Sequence, residues 1–280
     1  MNYRHSYHAG NHADMLKHAI LLRMAQLLQR KDAPYCYLDS HAGTGLYDLA
    51  AEAAGKTGEY LDGIARLWSR SDLPPMIAAL RDAVAQHNPD GQLRYYPGSP
   101  QLMADLLREQ DRMILSELHP EDAELLRQNF AYNPQVAVHQ RDGYELPKAF
   151  LPVVEKRALW LLDPPFEKTD DLSRSVKAMQ LAIQRMRQTV IALWYPIKDQ
   201  RLLRDFYRQV STAELPKVLR VELNVRPADN AMGLNGSGLM LVNPPWPLWE
   251  ELDQVLPWLA DQLAQSGAGD WRMDWLVGEP

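Results

Sequence analysis

The sequence predicts an α/β chain built on a mainly parallel sheet with helices on both faces. Seven short apolar runs lie at 35–38, 112–117, 136–139, 158–162, 189–194, 218–225 and 238–242. Most are separated by helix-like stretches such as 120–130, 171–187 and 199–210, and this alternation is the signature of strands joined by helical crossovers. Several runs also end in an acidic residue beside glycine or proline, where open parallel sheets admit ligands. At 280 residues, 46% hydrophobic and 24% charged, the chain forms one large domain or two small ones with an ample core. That composition excludes a disordered or collagen-like chain.

The first helix starts at Asn11, a good N-cap, with Leu16, Ile20, Met24 and Leu27 down one face. The Asp-Ala-Pro at 32–34 ends it. The first strand, 35–38, then runs into Asp39-Ser40-His41-Ala42-Gly43-Thr44-Gly45, read as a glycine-rich turn into a helix. Roughly seventy residues separate this strand from the second, too many for one crossover. They read as helices over 59–70, 76–87 and 101–110, broken at 72–75 and 88–91. Residues 50–94 are therefore expected to form a helical insertion on the ligand-facing edge of the sheet. The remainder, 1–49 and 95–280, forms the sheet domain. Residues 246–265 read as helix and 271–277 as an additional strand. There is no internal repeat or low-complexity segment.

Charge and cysteine usage narrow the class. The net charge is −6, which argues against a generally basic nucleic-acid binder but leaves room for a local stripe. One cysteine excludes a disulfide framework and a multi-cysteine metal site. No apolar run reaches membrane-spanning length, and the opening MNYRHSYHAGNH lacks a signal core, so a cytoplasmic protein is expected. No long heptad pattern stands out, which points to a monomer.

Chemistry concentrates at the strand ends. Asp39 and Gly43 pair a carboxylate with a glycine turn through which a ligand can approach the backbone; a turn made only for packing is the competing reading. A dinucleotide fingerprint wants a third glycine where Asp48 stands, which disfavours a nicotinamide enzyme. Gly55-Lys56-Thr57 resembles the end of a phosphate loop, but Ala50 replaces the required upstream glycine, so it reads as an ordinary loop. Glu117 closes the second strand, where such sheets grip ribose hydroxyls, and it equally suits a helix cap. Asp142-Gly143 repeats the pattern after the third.

The sharpest signal is Asp163-Pro164-Pro165-Phe166, ending the fourth strand. The prolines remove two amide donors and leave carbonyls free at the strand mouth. A carboxylate beside a carbonyl can accept both hydrogens of one planar amino group, and Phe166 offers a face for a base. Asn243-Pro244-Pro245-Trp246 has the same shape, but it follows the seventh run without an acidic or glycine motif and reads as structural. Histidines cluster at His5, His8, His12 and His18, yet no H-E-x-x-H accompanies them, and no metal is expected. Tyr3-Arg4-His5-Ser6-Tyr7-His8 interleaves aromatics with base, which suits unpaired nucleotides, although a loose tail would look the same. Arg201, Arg204 and Arg208 share one helix face and read either as a phosphate track or as a solvated stripe.

The order of glycine turn, ribose carboxylate, Asp-Gly and Asp-Pro-Pro-aromatic resembles the S-adenosylmethionine-dependent amino-methyltransferases. The strings YRHSYHAGNHADMLKH, YLDSHAGTG, GEYLDGIARLW, LRYYPGSP, LREQDRMILSELHP, LLDPPFEK, ALWYPI and LVNPPWPL are similar to the RlmJ family, which methylates an adenine of bacterial 23S ribosomal RNA. The likeness runs the length of the chain. It implies a class I methyltransferase fold, Rossmann-like, with a seven-stranded sheet and a helical insertion between the first and second strands. It implies S-adenosylmethionine contacts at His18, His41, Ser99, Glu117, Asp142, Gly143 and Asp163. It makes Asp163 the catalytic residue, to which the reading of the motif adds Pro164 and Phe166, and Tyr3 the RNA contact, to which the aromatic-basic segment adds Arg4. Phe166 replaces the commoner tyrosine of the wider class, and His41 a usual phenylalanine. DNA-adenine or protein-glutamine methylation on the same fold, and a catalytically silent RNA-binding scaffold, are the alternatives.

Overall fold

The computed structural model describes residues 5–198, 200–227 and 234–278. Its strands in chain order are β1 (Cys36–Asp39), β2 (Leu46–Asp48), β3 (Tyr95–Pro97), β4 (Arg112–Glu117), β5 (Val136–Gln140), β6 (Ala158–Leu162), β7 (Val190–Ile197), β8 (Val218–Asn224), β9 (Gly236–Val242) and β10 (Asp270–Val277). Eight of them form one sheet in the order β10-β8-β9-β7-β6-β1-β4-β5, and β2 pairs with β3 separately. From β5 to β7 every pairing is parallel, with β1 between β4 and β6. The rest is antiparallel: β9 against both β7 and β8, and β10 against β8. The expected seven-stranded, mainly parallel sheet is thus an eight-stranded mixed one. The eighth strand is held because Trp271, Met273 and Trp275 alternate onto the core face while Asp274 pairs with the buried Arg220 at 2.8 Å.

The helices are α1 (His12–Gln29), α2 (Glu52–Thr57), α3 (Ile64–Trp68), α4 (Pro75–Ala85), α5 (Ser99–Ala104), α6 (Pro120–Asn129), α7 (Leu146–Phe150), α8 (Asp171–Arg185), α9 (Gln200–Ser211) and α10 (Leu248–Leu263). Two apolar clusters lie on opposite faces of the sheet, and β1 feeds both. Tyr37 packs with α1, α4, α5, α6 and α10; Cys36 and Leu38 pack with α7, α8 and α9. Burial on both faces is why the central strands read as continuous apolar runs. Cys36 is fully buried, and burial pushes its thiol up to about 12. No described helix is long and apolar enough to cross a membrane.

Helix α1 begins where its cap predicts, with Asn11 Oδ1 accepting from the Ala13 and Asp14 amides. It is not amphipathic, however. Packed against α4, α5, α10, β6 and β9, it is buried nearly all round, with Asp14, Lys17 and His18 included. The glycine turn after β1 leads into a strand rather than a helix. Leu46 and Tyr47 pair with Pro97 and Tyr96, a contact across fifty residues that no local periodicity announces. Between β2 and β3 lie α2, a 3-10 turn (Glu59–Asp62), α3 and α4. Gly55-Lys56-Thr57 is the last turn of α2 rather than a loop: Gly58 ends the helix at φ 62°, and Lys56 pairs with Glu52 at 2.8 Å. Arg201, Arg204 and Arg208 lie exposed on α9, with Arg208 paired to Asp205.

Candidate active site

Asp39, Glu117 and Asp163 all stand at the C-terminal ends of parallel strands, so one edge of the sheet gathers the acidic groups. Asp39 is wholly buried. Its Oδ2 accepts from the Tyr37 and Ser99 hydroxyls at 2.7 Å each, and Oδ1 accepts from the His41 amide at 3.2 Å. Burial pushes its carboxyl up to about 6 despite these bonds. Asp39 therefore fixes Ser99 and His41 rather than facing the cleft itself.

The glycine turn bends around Glu117. The Gly43 amide donates to Glu117 Oε2 and the His119 amide to Oε1, both at 2.8 Å, while burial raises the carboxyl. Gly43 sits at φ 61°, and a Cβ there would come within 2.2 Å of the Tyr47 hydroxyl. Asp142 caps the 3-10 turn after β5 and pairs with Arg174 at 2.8 Å; the Arg174 guanidinium lies 4.0 Å over the Tyr144 ring. Gly143 packs so closely on the first loop that a Cβ would meet Ser40 O at 2.0 Å.

A narrow cavity of about 50 Å³ opens among these groups, reached by Lys17, His18, His41, Gly43, Ser99, Glu117, Asp163 and Pro164. It meets two others at His5. One, about 210 Å³, runs along Gly43 to Asp48; the other, about 270 Å³, is walled by Asp163, Pro165, Trp194 and Pro196. Asp163 thus lines the first cavity and the third. The sequence-predicted His18, His41, Ser99, Glu117 and Asp163 converge here with Gly43 and Pro164. Asp142 and Gly143 stand behind, buttressing the first loop. Phe166 lines none of the three: at φ 50° it turns toward Trp194, with ring centroids 5.8 Å apart. Tyr3 and Arg4 lie outside the described residues.

Sequence reasoning missed Lys17. Its Nζ lies 2.6 Å from Asp163 Oδ2 and 2.9 Å from Asp14 Oδ1, and its side chain is 4% exposed. Burial opposes the charge, but Asp14 and then Asp163 outweigh it and hold the ammonium above its ordinary range. Asp14 in turn is held well below the usual carboxylate range: burial works against it, and Lys17, His5 and His18 prevail. The available signal was a charged i, i+3 pair inside an otherwise apolar helix, which from sequence alone reads as a solvated face. The histidines take separate partners: His5 meets Asp14, His8 meets Glu59, and His18 Nδ1 meets the Tyr96 hydroxyl at 2.7 Å. Burial lowers His18 to about 3 and His41 to about 4, so both are neutral at pH 7.

The whole chain is similar to known proteins. A family model described as ribosomal RNA large subunit methyltransferase D, RlmJ, matches residues 32–277. The chain is 43% identical over 279 residues to ribosomal RNA large subunit methyltransferase J of Escherichia coli (strain K12), covering 100% of both. It is 41% identical over 280 residues to the protein of the same description from Haemophilus influenzae, again covering 100% of both. A crystal structure from Legionella pneumophila superposes with a TM-score of 0.88 at 33% identity, covering 95% of this chain and 97% of that one.

Proposed function

Since the chain belongs to the RlmJ family of ribosomal RNA large subunit methyltransferases, we propose that it methylates the exocyclic N-6 of an adenine in 23S ribosomal RNA, using S-adenosylmethionine. The observation that carries this reading is the position of Asp163, which faces the glycine-turn cavity on one side and the Pro165–Trp194 cavity on the other. A donor on one side and an acceptor amino group on the other would meet at its carboxylate.

The residues present fit the methyl donor. Glu117 offers acceptor oxygens beside the Gly43 backbone, Ser99 and His18 line the same cavity, and the Asp142-Gly143 loop rests on the Ser40 backbone. When bound, S-adenosylmethionine supplies a methyl group already activated on a sulfonium, so catalysis is mainly a matter of positioning. Lys17 occupies Asp163 Oδ2, while Oδ1 takes no hydrogen bond from the described residues. That free oxygen, with the Pro164 carbonyl, would accept the two N-6 hydrogens of a base turned out of its stack. The hydrogen bonds draw the nitrogen lone pair out of conjugation and aim it at the donor. Trp194 and Pro165 wall the base side, and Phe166 backs Trp194. We assign residues 50–94 to a helical insertion on the methyltransferase domain formed by 1–49 and 95–280, and Tyr3 and Arg4 to the RNA.

The test is methyl transfer from labelled S-adenosylmethionine to unmodified 23S RNA, with DNA and protein extract in parallel. Wild type is expected to give N-6-methyladenosine from RNA alone. Asp163→Ala should lose turnover by at least about a thousandfold, consistent with the loss of an oriented, transition-state contact. Label in DNA or protein, or undiminished turnover in the variant, would overturn the assignment.

A further inference from the structure

The second Asx-Pro-Pro-aromatic motif does more than turn the chain. Asn243 accounts for the turn by itself: at φ 53° its Nδ2 donates to the Arg187 and Thr189 carbonyls at 2.9 Å each. Trp246 is not needed for that and stands 76% exposed. It separates two cavities. One, about 380 Å³, is walled by Leu219, Pro245, Trp249 and Trp275, with the last two indoles stacked 5.7 Å apart at 9°. The other, about 410 Å³, has Leu27, Leu28 and Val190 in its wall and Arg30 and Lys31 beside them. Arg30 and Lys31 are exposed, and neither is ion-paired among the described residues. Lys217 lies on the first rim, and Glu250 is the one acidic group there.

Because β9 runs antiparallel to β7, this groove lies at the opposite end of the sheet from Asp163. Val190 at the start of β7 lines the groove, and Trp194 and Pro196 line the catalytic cleft. At ~3.3 Å per residue the two sites are roughly 13–20 Å apart along the strand. An exposed indole between an aromatic slot and unpaired cations matches an unpaired nucleotide: the base stacks and the phosphate meets the cations. An apolar peptide would have no use for Arg30 and Lys31.

We propose that this groove is a second RNA-binding site, which holds an unpaired stretch of the substrate RNA remote from the target adenine. The proposal rests on the ribosomal RNA reading above. An RNA long enough to reach both ends of the sheet gains affinity from the groove, and one covering only the target region does not.

The full-length protein is titrated with a 23S RNA fragment, with a shorter fragment carrying the target adenine, and with a single-stranded oligouridylate, all read by fluorescence anisotropy. Trp246→Ala is expected to weaken the long fragment and the oligouridylate about tenfold, and Trp246→Phe to restore most of it. Arg30→Ala with Lys31→Ala should flatten the salt dependence by about two counterions. KM for the long fragment should rise in both variants, while kcat and the short fragment's KM stay unchanged. Unaltered affinity in all variants overturns the groove, as does a Trp246-dependent dimer in sedimentation with RNA binding intact. If wild type methylates RNA and the groove variants match it, the groove fails and the catalytic reading stands; if wild type methylates no RNA, that reading fails first.

Discussion

Lys17 is tied to Asp163 across 146 residues of sequence, with Asp14 as its second partner. Removing the ammonium strips the buried Asp14 and the partly exposed Asp163 of their shared counter-charge, and breaking such a set costs about 3 kcal/mol. Lys17→Ala should therefore lower the urea midpoint markedly and reduce methyl transfer well beyond the loss of folded protein; an unchanged midpoint would contradict the pairing. Asp163 is legible in the sequence because two consecutive prolines after an apolar run both end the strand and strip its mouth of amide donors. Lys17 is not, because a charge in a helix ordinarily faces solvent, and only the packing of α1 on all sides shows otherwise. Trp246 reads in sequence as part of a structural turn, since exposure cannot be seen in a motif.

The loops that build the site are set by backbone proximity between elements. Gly143, after β5, rests on the Ser40 backbone after β1, and there is no room for a methyl group. Gly143→Ala is expected to push the two loops apart, reducing S-adenosylmethionine affinity at least about tenfold by calorimetry, with a destabilisation of about 1–3 kcal/mol. Wild-type affinity in that variant would show the loops to be independent. The strand ends carrying these loops are readable from apolar runs ending in acid and glycine. The β2–β3 pair is not. It depends on the Gly98 amide reaching Gly45 O at 2.8 Å and Leu49 N reaching Arg94 O at 2.7 Å, contacts without local pattern. The reversal of β9 and the edge position of β10 escape for the same reason, since period and composition do not encode strand direction.

Across the molecule, buried neutral histidines set the response to acid. His12 and His41 are lowered to about 4 and His18 to about 3, each by burial. The unfolded chain binds protons near pH 6.5 that the folded chain refuses, so their contribution is present above pH 6.5 and lost as pH falls toward 4. Asp14, held low, adds to the loss at still lower pH. Asp39, pushed up to about 6, works the other way, since its contribution is lost as pH rises from about 4 to 6, and the raised Glu117 acts in the same sense. The three histidines outweigh these two carboxyls, so the net slope is downward into acid. Calorimetry between pH 7 and 4.5 should show Tm falling, and His18→Gln should be less stable at pH 7 but less sensitive to pH. An identical slope in the variant would remove His18 from the account.

The lone thiol of Cys36, sealed in the central strand with its proton firmly held, makes the native protein chemically silent toward alkylating reagents. Its modification can proceed only when the middle of the sheet opens, so the rate of labelling becomes a clock for global unfolding. The same silence frees the surface for single-cysteine reporters: a dye placed on α9 or α10 would be the only one attached.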